Sequence, residues 1–367
     1  MSKKRIIISV TNDLCTDQRV HKIAKTLQKE NFEVLLIGRK LPQSPYFELP
    51  IPHRRFRLLW NKGVLFYAEY NIRLFLFLLF KKADIFLSND TDTLLANFFA
   101  SKIRRKKLVF DAHELFPEVP EVVHRKWVKA IWTGIENFIF PKLTFCYTVS
   151  QSIADYYNKK YRIAMQVIRN VPDKIIERQK TNKDKTLAFE NKKIILYQGA
   201  LNIGRGLEWI INAMPYIDNA ILVIIGEGDI SDELRKKVTA NKVSEKVVFL
   251  GRINGKKLKE YTLCADVGLC LLENKGLSYY YSLPNRIFDY MQAGVPVLAS
   301  NFPEIATIVN SCKSGMLIGH YEPQYIAQVI AQMFIDYQEK DRALIKKQAE
   351  NFSWENEEAK LLAIFTN

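Results

Sequence analysis

The sequence has little cysteine and no cysteine pattern. Its five cysteines are scattered through 367 residues, and none belongs to a C-x-x-C pair or to a cluster with histidine. Disulfide frameworks and structural zinc sites need closely spaced sets of such residues. We therefore expect reduced thiols in a cytoplasmic protein, and no metal centre.

Long apolar runs are missing as well. Before Thr11 the chain holds only a five-residue apolar run, which predicts a first strand and not a signal peptide. The most apolar run, Leu74–Phe80, is far shorter than the roughly 20 residues that a membrane-spanning helix needs. The sequence therefore predicts a protein without a spanning helix.

No G-x-G-x-x-G sequence follows a predicted strand, so the standard dinucleotide fingerprint is absent. Apolar strands nevertheless alternate with amphipathic helices in both halves. The pattern begins at Arg5–Val10 and restarts at Ile194–Gly199. It predicts an α/β fold with two Rossmann-like, doubly wound domains, whose ligands bind beyond the carboxyl ends of the strands. We place these domains at 1–173 and 194–350, with a polar linker at 174–193.

Acidic residues are scarce in the first half. Residues 1–180 contain 32 lysines and arginines against 17 acidic residues, whereas residues 181–367 contain 22 of each. A basic half indicates an anionic partner such as nucleic acid, phosphate groups or a membrane surface. The densest basic and aromatic mixture is His53–Lys82. It predicts either a core helix with a basic rim or a patch that enters a membrane interface through Trp60 and neighbouring basic residues, in which case charge reversal at Arg54, Arg55 and Arg57 would weaken membrane binding.

The most informative stretch is Ser282–Ser300. Pro284 suits the first turn of a helix, a later glycine suits its end, and an apolar strand follows. A helix N-terminus attracts phosphate through its free N–H groups and its dipole. Arg286 offers a planar fork of donors there, and Asp289 shares a helix face with Asn285, where it can accept from ribose hydroxyls. The pattern indicates a nucleotide-diphosphate site, and a capped surface helix is the simpler alternative.

This stretch resembles the donor-binding helix of retaining glycosyltransferases of family four, which have the two-domain GT-B fold. That family often carries E-x7-E followed by A-x-x-G-x-P-V. Here Asp289 matches the second acidic position and Tyr281 stands at the first. The segment is similar to a bacterial polysaccharide subgroup in which a Ser–Leu–Pro–Asn turn replaces the first glutamate. The resemblance implies that the domains face a cleft and that residues 351–367 form a helix that returns to the first domain.

The resemblance also implies a donor site in the second domain. Arg205 matches a lysine position that contacts the donor diphosphate, while Ala200 stands at the usual arginine position. Arg205 and Arg286 are the catalytic groups that would stabilise the leaving diphosphate in place of a metal ion. The donor-binding residues that the resemblance implies are Gly199, Glu227, Arg252, Asn285, Asp289 and Glu304.

In the first domain, the segment DAHEL follows a predicted strand. A histidine beside a glutamate at a strand's carboxyl end is a candidate catalytic group by itself. The resemblance implies that His113 faces the reacting sugar, with Glu114 on the acceptor side. Arg19 is predicted either to reach an acceptor anion or to be a solvated helix residue. Asp90-Thr-Asp92 has the D-x-D form of a metal site, but it opens a helix, so we interpret it as a helix cap.

The implied function is transfer of a sugar, with retention, from a UDP- or GDP-sugar to a saccharide hydroxyl, with no metal or other cofactor. We expect a lipid-linked acceptor in cell-surface polysaccharide or lipopolysaccharide synthesis. The enzyme would then be cytoplasmic and bound peripherally to the inner face of an anionic membrane.

Two alternatives remain open. A nucleotide-sugar 2-epimerase of the same fold would need several cleft carboxylates, of which the second domain has few. A catalytically silent nucleic-acid-binding protein would suit the basic half, but no groove-reading helix or aromatic RNA-binding motif is present. We therefore expect no nucleic acid partner.

Overall fold

The computed structural model describes residues 3–15, 17–174, 189, 192–253 and 255–366. The chain divides into two compact units. Unit 1 is Met1–Asn170 with Glu357–Asn367, and unit 2 is Val171–Asn356. Almost all of the predicted linker, 174–193, lies outside the described residues.

Unit 1 is built on a parallel sheet. Its strands are β1 Arg5–Asp13, β2 Glu33–Arg39, β3 His53–Phe56, β4 Ile85–Asn89, β5 Lys107–Ala112, β6 Phe145–Thr148 and β7 Gln166–Val167. They lie in the order β3-β2-β1-β4-β5-β6-β7. The central strand β1 is buried from Ile6 to Val10, because helices cover both faces of the sheet and exclude water from it.

Helices connect these strands. Those that the structure describes in unit 1 are α1 Gln18–Lys29, α2 Gly63–Phe80, α3 Thr91–Arg104, α4 Pro120–Val123, α5 Lys126–Ile139 and α6 Gln151–Tyr161. Asp17 caps α1, since its side chain accepts a hydrogen bond of 3.1 Å from the N–H of Val20. The apolar stripe of α1 is buried against the sheet, as its spacing predicts.

Unit 2 repeats this architecture. Its strands are β8 Lys193–Gln198, β9 Ala220–Ile225, β10 Val247–Gly251, β11 Val267–Cys270, β12 Val297–Ser300 and β13 Gly315–Ile318. Its helices are α7 Leu207–Ala213, α8 Ser231–Ala240, α9 Gly255–Cys264, α10 Leu277–Tyr280, α11 Arg286–Ala293, α12 Pro303–Cys312, α13 Pro323–Asp336 and α14 Glu339–Ala349. The parallel order β10-β9-β8-β11-β12-β13 places the topological switch beside β8. Two doubly wound α/β domains are thus confirmed.

The last helix, α15 Trp354–Thr366, begins in unit 2 and belongs to unit 1 from Glu357 onward. Glu357 accepts from the N–H of Arg169 at 3.1 Å, and Glu358 accepts from the hydroxyl of Thr26 at 2.7 Å. The ring of Phe365 lies 6.4 Å from that of Phe32. This helix therefore completes the core of unit 1.

One helix differs from expectation. Within the described residues, α2 is the one helix long and apolar enough to cross a membrane, a criterion of length and composition that helices inside domains also meet. The prediction considered the run Leu74–Phe80 alone, whereas α2 as a whole is 18 residues long; the absence of a spanning helix stays a prediction. Phe66, Tyr70, Leu74 and Leu78 form one buried face of α2 within the core of unit 1.

Candidate active site

The predicted donor helix forms at the expected place. α11 begins at Arg286, and Gly294 ends it with a φ of 69°. The N–H of Ile287 donates to the carbonyl of Pro284, and that of Phe288 donates to the carbonyl of Asn285. The N–H groups at the very start of a helix have no intrahelical partner. The start of α11 lies beside the end of β8, where doubly wound sheets bind their ligands.

Gly199 allows β8 and α11 to meet. It follows β8 directly, with a φ of 138°, and a Cβ at this position would lie 3.3 Å from Nη2 of Arg286. The guanidinium of Arg286 also lies over the ring of Tyr197, 4.5 Å from its centroid. Any other residue at 199 would therefore combine backbone strain with displacement of this guanidinium.

Arg286 is a buried cation without a counter-ion. Arg286 is 9% exposed, and its Nη1 atom is buried with no hydrogen-bond partner among the described residues. Burial lowers the pKa of Arg286, but Tyr197, Cys270 and Tyr290 outweigh it and raise the pKa above its ordinary value; none of these groups is a carboxylate. A buried charge without a partner is unfavourable. An anionic ligand would supply the missing partner.

A second guanidinium lies nearby. Arg205 precedes α7, lies over the ring of Tyr279 at 4.8 Å, and has a buried Nε atom without a hydrogen-bond partner. Burial raises the pKa of the Cys270 thiol to about 11, against the opposing charges of Arg286 and Arg205. Both cations therefore lie close enough to Cys270 to influence it. Two incompletely paired guanidinium groups near the same thiol suit a diphosphate.

Asp289 is held in place by a hydrogen-bonded chain. Its carboxylate accepts from Nε2 of Gln198 at 3.1 Å, and the amide oxygen of Gln198 accepts from the hydroxyl of Thr262 at 2.8 Å. The hydroxyl of Tyr290 donates to the backbone of β8 at 3.0 Å. Gln198 and Tyr290 were not among the predicted site residues, because both are uncharged. The position of Gln198 as the last residue of β8 could have indicated a place in the site.

The remaining predicted donor residues differ in exposure. Glu227, Arg252 and Asn285 are exposed, whereas Glu304 in the first turn of α12 is buried. Glu227 lies in the loop after β9, 3.7 Å from Arg235. A Cβ at Gly226, in the same loop, would lie 1.8 Å from the carbonyl oxygen of Gly199. The loops after β8 and β9 are thus packed backbone against backbone. The roles of Glu227, Arg252, Asn285 and Glu304 in nucleotide binding stay predictions.

In unit 1, His113 lies between two carboxylates. Its Nε2 is 3.1 Å from Asp111, and its Nδ1 is 3.3 Å from Asp90. The backbone N–H of His113 also donates to Asp90 at 2.7 Å. Burial alone would lower the pKa of His113, but the charges of Asp90 and Asp111 outweigh it and raise the pKa to about 10. His113 is therefore an imidazolium whose two ring N–H groups are both engaged, while its neighbour Glu114 is half-buried.

Arg19 corrects one prediction. It is 3% exposed, and it donates to both carboxylate oxygens of Asp111 at 2.9 Å and to the carbonyl of Ile168 at 3.1 Å. Neither predicted role, acceptor contact or solvated helix residue, fits this geometry. Arg19 neutralises Asp111 and so fixes the carboxylate that holds His113.

Asp90 and Asp92 correct another prediction, because neither caps α3. The side chain at the capping position, Asp90, makes no capping hydrogen bond and instead binds His113. Asp92 accepts from the hydroxyl of Thr11, and burial together with the charge of Asp90 raises the pKa of Asp92 to about 7. Asp90 has a φ of 57°, a strained value for a residue with a side chain, and such strain concentrates at functional sites. In the part of the chain that the structure describes, no three histidine, cysteine or acidic residues are grouped as a metal site.

The basic segment is also partly corrected. The guanidinium of Arg55 lies 3.4 Å from Asp13 and donates to the carbonyl of Pro45 at 3.0 Å, so its charge is used inside unit 1. Arg54 and Arg57 are exposed. Both line an open depression at the edge of the sheet of unit 1. Its lining residues are Lys40, His53, Arg54, Arg55, Phe56, Arg57 and Arg73.

Two family models match the chain. "Glycosyltransferase Family 4" matches residues 17–173, and "Glycosyl transferases group 1" matches residues 178–352. An uncharacterized glycosyltransferase of Methanocaldococcus jannaschii is 32% identical over 173 residues, which is 46% of this chain and 43% of the relative. A GDP-mannose-dependent alpha-(1-6)-phosphatidylinositol monomannoside mannosyltransferase of Mycobacterium tuberculosis is 28% identical over 145 residues, 38% of this chain and 37% of the relative. The chain thus spans about two fifths of the length of these relatives.

The fold has close counterparts among solved structures. The HepE protein of Anabaena, in complex with UDP-glucose, matches with a TM-score of 0.76 at 15% identity over 99% of each chain. The chain therefore has the GT-B fold, and its two halves match glycosyltransferase family models at residues 17–173 and 178–352.

Proposed function

We propose that this protein transfers a sugar, with retention of configuration, from a nucleotide-diphosphate sugar to a saccharide hydroxyl. The observation that carries the proposal is the buried guanidinium of Arg286 at the start of α11, together with the partly buried Arg205. Each has a buried nitrogen without a hydrogen-bond partner, and a diphosphate has the charge and the acceptor oxygens to satisfy both.

These groups act on the bond that breaks. The acceptor oxygen forms a bond to the anomeric carbon as the bond from that carbon to the diphosphate oxygen breaks, and the diphosphate leaves with the electron pair. The acceptor proton passes to a departing phosphate oxygen. Negative charge grows on the leaving group, and Arg205, Arg286 and the helix dipole of α11 are already oriented toward it, so no metal ion is required.

The donor nucleotide is UDP or GDP. HepE binds UDP-glucose and the mycobacterial relative is GDP-mannose-dependent, so both bases occur among similar proteins. Asp289, which accepts a hydrogen bond from Gln198, follows Arg286 by about one helical turn and suits the ribose hydroxyls. We assign Gly199, Glu227, Arg252, Asn285 and Glu304 to the same donor site.

His113 and Glu114 serve the acceptor side. Because both ring N–H groups of His113 are engaged by carboxylates, we assign it a fixed positive charge and not the role of a general base. It would orient a sugar hydroxyl through its electrostatic field, supported by Asp90 and Asp111.

The acceptor saccharide is carried on a lipid at the inner face of an anionic membrane, in cell-surface polysaccharide synthesis. Two observations support this proposal. The exposed Arg54 and Arg57 lie within a chain segment rich in positive charge, and the mycobacterial relative is named for a phosphatidylinositol acceptor. A phosphate-bearing lipid carrier would complement that charge.

The test is donor turnover by the purified protein with a panel of UDP- and GDP-sugars and no acceptor. We expect one donor to raise the melting temperature, because ligands that bind only the folded state stabilise it. That same donor should release its nucleotide diphosphate slowly. Recovery of a C2-inverted sugar nucleotide would identify an epimerase instead, and binding of none of the donors would refute the proposal.

A further inference from the structure

Helix α2 is apolar on the side that faces away from the sheet. Beyond its buried stripe, a second stripe of Leu65, Ile72, Leu76 and Phe80 is exposed, and Phe80 is 83% exposed. These residues recur at helical spacing, so they form one continuous line along the helix. A helix on the surface of a soluble domain normally carries polar residues there, so this stripe calls for an explanation.

The neighbouring helices extend the stripe into a surface. α3 packs beside α2, and α5 packs beside α3. α3 exposes Phe99 and Ile103, and α5 exposes Trp127, Ile131 and Phe138. The rings of Phe99 and Phe138 lie 6.3 Å apart, so the two helices share an outer aromatic contact. We call this surface the apolar face; it consists of Leu65, Ile72, Leu76, Phe80, Phe99, Ile103, Trp127, Ile131 and Phe138.

The exposed charges on α2, α3 and α5 themselves have one sign, and Glu121 on the adjoining α4 is an exposed exception. α2, α3 and α5 contain three acidic residues, Glu69, Asp92 and Glu136, and the side chains of all three are at most 9% exposed. Basic side chains remain outside, and Nζ of Lys142 lies 3.4 Å from the ring centroid of Phe138. Lysines and arginines that border apolar residues are typical of helices lying in a membrane interface.

We propose that the apolar face inserts into the acyl region of an anionic lipid leaflet, with α2, α3 and α5 lying in the plane of the membrane. A second copy of the chain is a poorer occupant, because a two-fold interface would place this basic surface against itself. Lipid phosphates complement the charge, and acyl chains cover the exposed rings and aliphatic side chains. The inference rests on the proposed function, because a lipid-carried acceptor is the reason for the protein to bind a membrane. Insertion of the apolar face adds a hydrophobic contribution to the electrostatic attraction.

Vesicle binding distinguishes insertion from attraction alone. The chain is incubated with phosphatidylglycerol vesicles and with phosphatidylcholine vesicles over a range of salt concentrations. Attraction is screened by salt, whereas insertion is not. We expect strong binding to the anionic vesicles at low salt and a residual fraction that high salt does not release. The double substitution Ile72→Glu with Leu76→Glu should remove that fraction, weakening binding at high salt by about tenfold or more.

A matched control is present in unit 2. Ile335 on α13 is as exposed as Ile72, at 67% against 61%, but lies outside the apolar face. Ile335→Glu should bind vesicles like the unaltered chain. Melting temperatures of both variants exclude unfolding as the cause of any difference.

The depth of insertion is measured at Trp127, which is 87% exposed. Vesicles with bromine on the acyl chains should quench its fluorescence, and Trp127→Phe should lose most of that quenching. Equal quenching with and without Trp127, or equal vesicle binding by the Ile72→Glu, Leu76→Glu variant, would overturn the proposal. So would a dimer in light scattering that the same variant dissociates.

These outcomes are separable from those of the proposed function. Donor binding and nucleotide release are measured in solution without vesicles, and the apolar face contains none of the donor-site residues. A chain that inserts but binds no nucleotide sugar would refute the proposed reaction alone. A chain that turns over a donor but ignores vesicles would refute the insertion alone.

Discussion

Replacement of Arg286 by methionine is the sharpest test of the donor site. We expect it to stabilise the unliganded protein and to weaken binding of the donor. Methionine has a similar length and fills the same apolar space, but it carries no charge. In the unaltered protein, the guanidinium is buried with Nη1 unsatisfied and no carboxylate beside it among the described residues. Its contacts in the absence of ligand are chiefly the face of Tyr197 at 4.5 Å and the backbone at Gly199.

Without a ligand, Arg286→Met should therefore be stabilising. It removes a buried charge with an unsatisfied donor, which costs about 1–3 kcal/mol or more, and it loses a cation–π contact of about 0.5–2 kcal/mol. We expect a net gain of about 1 kcal/mol, which corresponds to a rise in melting temperature of roughly 2–4 °C for a domain of this size.

With a donor, the effect should reverse. Loss of a charged hydrogen bond to the diphosphate costs about 1.5–3 kcal/mol, so affinity should fall by a factor of roughly ten to a hundred or slightly more. Titration calorimetry with the nucleotide diphosphate, and melting curves with and without it, measure both effects on one preparation. Arg342→Met is the control, because Arg342 is also largely buried but donates to the carbonyl of Ala265 at 2.9 Å. The reasoning would be refuted if Arg286→Met destabilised the unliganded protein and left nucleotide affinity unchanged, since that result would make Arg286 a structural residue.

Four further outcomes are expected. Asp289→Asn should weaken nucleotide binding by about 1.5–3 kcal/mol without lowering the melting temperature by more than a few degrees, and unchanged calorimetric affinity would remove Asp289 from the site. Turnover should persist in a chelator, because arginines and the dipole of α11 stabilise the leaving group; activity that is abolished by chelator and restored by magnesium would contradict this. His113→Ala should lower the turnover rate more than donor affinity, and an unaltered rate would make the residue structural. The pKa of His113 is raised to about 10, against about 6.5 in the unfolded chain, so its contribution to stability is complete below pH 6.5 and is lost as the pH rises through 10. The melting-temperature difference between the unaltered protein and His113→Gln should therefore shrink between these pH values. A difference that stays constant with pH would refute this prediction.

Local sequence signals predicted most of the fold. Continuous apolar runs identified the central strands, since only strands buried on both faces need them, and the Pro284 turn with Gly294 identified α11. The edge strands β3 and β7 were missed because they are short and lack such runs, their sequences being HRRF and QV. The position of Arg286 was predicted as well, but the absence of a partner for it was not.

Long-range pairing explains what the sequence could not reveal. Arg19 and Asp111 are 92 residues apart, and no local pattern connects them. No local pattern connects Asp90 to His113 either. The position of Asp90 at the start of a helix suggested capping, whereas in the structure it accepts from the N–H of His113. The sequence pattern indicated α2 and the start of α3, but it did not say which of their faces other elements cover. The apolar face emerged only when the covered faces were known.

The course of the chain through α15 has a consequence for how the protein is made. Unit 1 includes Leu361, Ile364 and Phe365, which are buried in its core, yet the ribosome reaches them only after synthesising all of unit 2. At typical elongation rates of about 5–20 residues per second, the first 170 residues wait roughly 10–40 s for the helix that completes them. During that interval the ring of Phe32 and the strand end at Lys107 lack their partners on α15. The nascent first domain therefore exposes apolar surface that α15 covers later, and loss of the last helix would destabilise the part of the protein that is synthesised first.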